Sequence, residues 1–311
     1  MGVWAVVQQS FPSKPEWSTD QIPDLTGKVV IVTGGNTGIG KETVKVLLQH
    51  NAKVYLAARN EKKAIQAIRD LKNETGKEAY FLQLDLADLK VVKAAAEEFL
   101  SKENDLHILF NNGGVMTAPV PMITAQGYDL QFGTNVLGHF YFTQLLLPAL
   151  LSGAKTSSDG TARVVNTASA AQEFINHIDF NTLKDGPARR KKLTHTLYAE
   201  SKLATVIFTN ELARRYGSQG IISTSMNPGN IVSELQRHLD IVGRALSHYL
   251  LYPTPYGALT QLYAGTSPEG KHLNGKYLVP FARVGKSPPA GEDTELGAEL
   301  WRWMEAEVQN I

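Results

Sequence analysis

Cysteine is absent from the 311 residues. That excludes disulfides, thiolate metal sites and thiol nucleophiles, and it fits a reducing compartment, with a cytoplasmic location expected. Neither sign of charge prevails: 31 Lys and Arg stand against 30 Asp and Glu. The chain therefore lacks the electrostatic footprint of a nucleic-acid or polyanion binder, and its expected partner is a small molecule. Long apolar runs are missing too. The stretch Val3 to Val7 covers only about five residues where a bilayer span needs ~20, so no membrane span is expected. It has neither the basic flank nor the cleavage site of a secretory signal, and Val6 stands where a myristoylation motif needs Ser or Thr. No targeting signal is legible in Val308 to Ile311. The basic run Arg189 to Lys192 reads as a solvated loop. His139, His177 and His195 come without H-E-x-x-H or G-x-S-x-G spacing and read as structural, with no metal expected.

What is present is a 43% apolar composition, enough for the core of one α/β domain over residues 25–311 behind an N-terminal arm, 1–24. Runs dense in Val, Ile and Leu occur at Lys28 to Thr33, Lys53 to Ala58, Ala79 to Asp85, His107 to Asn111, Arg163 to Thr167 and Ile221 to Met226. Helical patterns fill the gaps. Continuous rather than alternating apolarity is the mark of parallel strands buried on both faces, so the chain predicts a doubly wound Rossmann-type domain with a central parallel sheet flanked by helices. Ligand is expected beyond the carboxyl ends of the strands, where the strand order reverses. Three loops are long enough to be functional: Gly113 to Ile123, Ala170 to Leu193, and a substrate lid at about 228–255. A homo-oligomer is compatible with the sequence, which sets no oligomeric state.

The first strand runs directly into Thr33-Gly34-Gly35-Asn36-Thr37-Gly38-Ile39-Gly40 and then a helical pattern. Glycines let a backbone approach a pyrophosphate closely, and the unpaired N–H groups and dipole of the helix favour its charge. The same stretch satisfies G-x-x-x-x-G-K up to Lys41, but Glu42 supplies no hydroxyl for magnesium, which argues against a triphosphatase loop. After the second strand come Ala58 and Arg59. A carboxylate there would hold the ribose hydroxyls of NAD, whereas Arg59 suits a 2′-phosphate, so NADP(H) is expected in preference to NAD(H). Tyr198 and Lys202, four residues apart in a helical segment, share one face. An adjacent ammonium and an oxidised nicotinamide both favour the phenolate, which would make Tyr198 a usable acid and base.

Taken together and in order, these motifs make the chain resemble the short-chain dehydrogenase/reductase family, in its retinol-dehydrogenase-like branch. The matching residues are the glycine turn, Leu84-Asp85-Leu86, Asn111-Asn112-Gly113-Gly114, Asn135-Val-Leu-Gly-His139, Ser169, Tyr198 with Lys202, and Pro228-Gly229. The resemblance implies that Asp85 and Leu86 border the adenine and that Asn111, Asn112, Gly113 and Gly114 line the coenzyme cleft. It also implies that Ser169 holds the substrate oxygen, Tyr198 moves its proton, and Lys202 binds the nicotinamide ribose. Asn135 would support a proton-relaying water, and Pro228 to Ser233, with Gly229 and Ile231, would cover the nicotinamide. Two departures from the family pattern stand out. Gly113 replaces the usual Ala, which should loosen that turn, and Thr167-Ala168-Ser169 keeps only the second of two paired serines. The implied activity is hydride transfer between nicotinamide and a secondary alcohol or carbonyl. The apolar content of Ile231 to Tyr256 and of Ala118 to Ile123 points to a bulky apolar substrate. The alternative is a regulatory protein that binds coenzyme without turnover. On the last helix, Trp301, Trp303 and Met304 are read as packing on the body in preference to lining a pocket.

Overall fold

All six runs become strands in a computed structural model that describes residues 2–231 and 251–311. They are β1 Val29–Thr33, β2 Lys53–Ala58, β3 Tyr80–Gln83, β4 Ile108–Asn111, β5 Ala162–Thr167 and β6 Ile221–Met226. Two shorter strands, β7 Tyr277–Val279 and β8 Arg283–Val284, complete a sheet of order β3-β2-β1-β4-β5-β6-β7-β8, parallel up to the antiparallel β8. Two-residue periodicity explains the continuous apolar runs. In β1, Val29 and Ile31 enter the core on one face, while Val30 and Val32 enter the core on the other. Edge strand β3 departs from that expectation, because Tyr80 and Gln83 are exposed.

The helices that matter are α1 Gly2–Ser10, α2 Gly38–Gln49, α3 Glu61–Thr75, α4 Leu89–Leu100, α5 Gly138–Thr156, α6 Thr194–Tyr216, α7 Thr254–Thr266 and α8 Thr294–Val308. Helices α2, α3 and α7 cover one face, and α4, α5, α6 and α8 the other. The helical stretch 130–156 is long and apolar enough to cross a membrane by length and composition, but most of its apolar part is buried inside the fold, as suits a core helix. Trp301 and Met304 are buried in that core, with Trp301 edge-on to Phe140 at 5.1 Å, in line with the packing reading. The strand order reverses between β1 and β4, and the turns that leave these two strands face each other across the resulting crevice.

Arg189 corrects the reading of the basic run as solvated. Its side chain is only 1% exposed, pairs with Asp185 at 2.8 Å and Asp129 at 3.2 Å, and donates to the Val120 carbonyl at 2.5 Å. A guanidinium buried this way needs every donor occupied, and those partners pin the 113–123 loop to the rest of the fold. Burial raises the Asp129 carboxyl against the opposing effect of the Phe132 N–H and Arg189. Arg190 and Lys192 do lie toward solvent and pair with Asp185 and Asp179. Of the expected lid, 228–231 and 251–255 are described, with Ile231 bridged to Tyr252. Residues 232–250, which hold Ser233 and most of the lid's apolar side chains, lie outside the described residues.

Candidate functional site

Thr33, the last residue of β1, is the hub of the crevice. Its hydroxyl accepts from the backbone N–H of Asn112 at 2.9 Å and of Gly113 at 2.8 Å, and its carbonyl accepts from Asn112 Nδ2 at 2.8 Å. These bonds lock the turn after β4 onto the turn after β1. Gly34 (φ +66°) and Gly38 (φ +53°) hold left-handed backbone that other residues resist. A methyl group on Gly40 would collide with the Gly34 carbonyl and lie 2.7 Å from Asn112 Nδ2. Asn36 lies within the turn, and Thr37 is the N-cap residue of α2 but makes no side-chain capping bond. Among the described residues the N–H groups of Gly38, Ile39 and Gly40 are therefore left for another acceptor at the positive end of a 12-residue helix, an arrangement that fits a pyrophosphate.

Gly113 is not loose. A methyl there would meet Gly34 N at 3.2 Å, Leu86 Cδ1 at 3.2 Å and Thr33 Oγ1 at 3.3 Å, so glycine serves a close approach of the two turns. Asn111 does not face the crevice with its side chain, which is buried and donates to Asn166 at 2.8 Å and Thr143 at 3.1 Å. The two residues in the middle of the motif hold the cleft together, and Gly114 opens onto it. A methyl on Gly114 would lie 2.8 Å from Asn135 Oδ1 and 4.0 Å from Lys202 Nζ.

Asn135 sits in a π-helical turn, Gly133–Leu137, that leads into α5, the kind of irregularity often kept at functional sites. Its carboxamide accepts from Val115 N at 2.9 Å and donates to Val115 O and Ser201 Oγ, both at 3.0 Å. One turn on, His139 Nδ1 contacts the Asn135 carbonyl at 3.0 Å and Nε2 the Thr33 hydroxyl at 2.9 Å. A carbonyl can only accept, so Nδ1 carries the hydrogen. Burial pushes the imidazole down to about 4, which leaves Nε2 bare to accept from Thr33. A neutral histidine thus ties the glycine turn to Asn135.

Tyr198 and Lys202 lie on α6, with Lys202 Nζ 5.7 Å from the centre of the Tyr198 ring. Lys202 Nζ donates to the Thr167 carbonyl at the end of β5 at 2.8 Å. Two residues later Ser169 caps the 3₁₀ turn Ala170–Phe174, its hydroxyl accepting from Ala171 N at 3.2 Å. Burial pushes the Tyr198 phenol up to about 12, the Ser169 hydroxyl acting against it, and pushes the Lys202 ammonium down to about 8. Without coenzyme, burial favours the protonated phenol over the phenolate. At neutral pH the Tyr198 phenol keeps its proton.

The residues gathered at this crevice carry the order of motifs of one enzyme family, and comparison with known proteins agrees. The short chain dehydrogenase family profile matches residues 28–178. A short-chain dehydrogenase/reductase of Armillaria gallica is 59% identical over 99% of this chain and 98% of its own length. The chain belongs to the short-chain dehydrogenase/reductase family. Mouse retinol dehydrogenase 11 is 40% identical over 82% of the chain and 78% of its own length. Among solved structures, an uncharacterized Mycobacterium paratuberculosis protein superposes with a TM-score of 0.72 at 27% identity, covering 94% of this chain and 97% of that one. The chain is thus an oxidoreductase of a family that binds nicotinamide coenzymes.

Around that centre, Leu86 packs beside Gly113, and Asp85 accepts from Ala87 N at 3.0 Å. Arg59, at the end of β2, is exposed. Gly229 (φ +90°) donates to Asn227 Oδ1 at 3.1 Å in the turn that follows β6 and contains Pro228. A methyl on Gly257 of α7 would touch both Ile231 and Ile39, so these two expected coenzyme neighbours meet there. The sequence reading did not assign Thr33 to the site, although its place at the strand end ahead of the glycines was a usable signal.

Lys202 carries an expectation for stability. A fall from 10.5 to about 8 means that the native state disfavours the charged amine by about 3 kcal/mol. Below about pH 8 both folded and unfolded chains hold the proton, and that cost is felt in full. Between the two values only the unfolded chain holds it, so stability rises with pH. Lys202→Met removes the cost but orphans the Thr167 carbonyl, for a net gain of about 2 kcal/mol near neutral pH that shrinks toward pH 10. Denaturant titration of the coenzyme-free protein at both pH values checks this, and a loss of stability near neutral pH would contradict it.

Proposed function

We propose that this chain is an NADP(H)-dependent oxidoreductase that transfers hydride between nicotinamide and a secondary alcohol or carbonyl on a bulky apolar skeleton. The observation that carries the reading is the grouping at the end of β5 of the Tyr198 phenol, the Ser169 hydroxyl and Lys202, whose Nζ lies 5.7 Å from the Tyr198 ring centre and 2.8 Å from the Thr167 carbonyl. When bound, the nicotinamide supplies or accepts the hydride. Gly38, Ile39 and Gly40 would hold its pyrophosphate, Arg59 the 2′-phosphate, and Lys202 the nicotinamide ribose. In the reducing direction the Ser169 hydroxyl donates to the substrate oxygen and fixes it, and Tyr198 gives that oxygen its proton as negative charge develops there. Lys202, still largely protonated at neutral pH, favours the phenolate left behind. Asn135, held by Val115 and Ser201, supports the water through which Tyr198 is reprotonated.

The substrate class rests on exposed apolar side chains of the loop after β4 and of the segment before α6. Met122 and Ile123 are exposed on the loop after β4, and Leu193 is 73% exposed just before α6. Thr194 Oγ1 bonds the Ala118 carbonyl at 2.6 Å and brings these segments together. With NADPH, kcat/KM should rise along a series of ketones of growing hydrocarbon size, by up to about fourfold for each methylene buried. Higher efficiency on small hydroxy-ketones and sugars would overturn the apolar substrate. Tight NADPH binding with no turnover across the panel would favour a regulatory protein that only binds the coenzyme.

A further inference from the structure

Gln9 belongs to the N-terminal helix α1, which packs against the 3₁₀ turn that follows Ser169. Its neighbours Trp4 and Phe11 are exposed, yet Gln9 is only 6% exposed. A buried carboxamide is tolerated only if its polar atoms find partners. Gln9 Oε1 accepts from Asn227 Nδ2 and from the Tyr277 hydroxyl, both at 2.9 Å. With the oxygen used twice, its NH₂ group is left to donate to the Glu173 carboxylate. Burial raises that carboxylate, and the bond from Gln9 opposes the rise.

The three partners adjoin two walls of the crevice. Asn227 precedes Pro228-Gly229, and its own Oδ1 accepts from Gly229 N at 3.1 Å. Tyr277, on β7, packs with Ala168, the residue before Ser169. Glu173 lies in the turn that Ser169 caps. One side chain therefore links the turn expected over the nicotinamide to the segment expected to hold the substrate oxygen. We infer that Gln9 is a positioning residue for hydride transfer, and that α1 is a working part of the site rather than an arm laid on the surface. The inference rests on the role proposed above for Ser169 and on the place over the nicotinamide that the resemblance implies for Gly229, although the linkage itself can be tested without turnover.

The substitution Gln9→Met keeps side-chain length and removes every hydrogen bond. Hydrogen exchange on the coenzyme-free full chain should then be about tenfold faster or more at residues 170–175 and 227–229 together, with β1 and β4 unchanged. In turnover, kcat should fall about tenfold while the NADPH Kd moves by less than about threefold, since the glycine turn is not part of the linkage. Gln9→Glu alone should be impaired, because two carboxylates would face each other in a buried site. Combining it with Glu173→Gln exchanges the two groups and should restore both exchange rates and kcat. Unchanged exchange at either segment, or a lower Tm with kcat intact and no rescue by the exchanged pair, would overturn the inference. If the unmodified protein turns over no carbonyl, the proposed function fails on that result alone, and the exchange data still decide the role of Gln9.

Discussion

Tyr198→Phe is expected to lower turnover about 10²-fold or more while NADPH affinity changes by less than about threefold. The variant keeps the ring, its packing and its place over Lys202, and loses only the hydroxyl. In the coenzyme-free protein that hydroxyl is a donor, because burial holds it near 12. Lys202→Met should damage both turnover and coenzyme affinity, even though it is expected to stabilise the coenzyme-free fold. That opposition between activity and stability is the signature of a charged group kept in a costly place for its chemistry. Steady-state kinetics and a fluorescence titration with NADPH measure the two effects separately. Near-normal turnover in Tyr198→Phe would mean that the proton comes from elsewhere.

Arg59→Asp is expected to reverse the coenzyme preference, raising the NADPH Kd by about 10²-fold and improving NADH. The Arg59 side chain is 68% exposed, and its contact with Asp85, Nε to Oδ2 at 3.9 Å, is long. An exposed pair of that length contributes little, so the guanidinium can turn to a 2′-phosphate at small cost. A charge-assisted, two-pronged contact of Arg with phosphate is worth about 1.5–3 kcal/mol, or about 10- to 10²-fold in affinity. An aspartate in the same place repels the phosphate and accepts from ribose hydroxyls. Titrations of both coenzymes at one ionic strength check this, because salt screens the contact. Equal affinities of the unmodified protein for NADPH and NADH would contradict the assignment.

The parts of the molecule legible in the sequence are those whose cause is local. Runs such as Val29 to Val32 declare a strand buried on both faces, and the glycines of the first turn declare a close approach, because each is decided by its own neighbours. Contacts made across the fold leave no such mark. Nothing in the sequence separates Gln9 from Gln8, since the partners of Gln9 lie 218 and 268 residues away. Arg189 looks like part of an exposed basic run until Asp129, 60 positions earlier, is folded against it. Asn111 belongs to a recognisable motif but turns into the core, because β5 offers Asn166 at hydrogen-bond distance. Strands β7 and β8 are too short to form a run. Spacing likewise brings Lys202 near Tyr198, but the burial that raises the phenol comes only from the packed structure.

Transfer of isotopic label tests the central claim most directly. NADPH deuterated at the reactive carbon of its nicotinamide is mixed in single turnover with the best apolar ketone of the series, and the alcohol formed is weighed by mass spectrometry. The expected product carries one deuterium on the carbinol carbon, for one stereochemical form of labelled coenzyme and not the other, with stoichiometric loss of NADPH. Alcohol formed without label from either form, or label recovered in solvent, would contradict direct hydride transfer at this site.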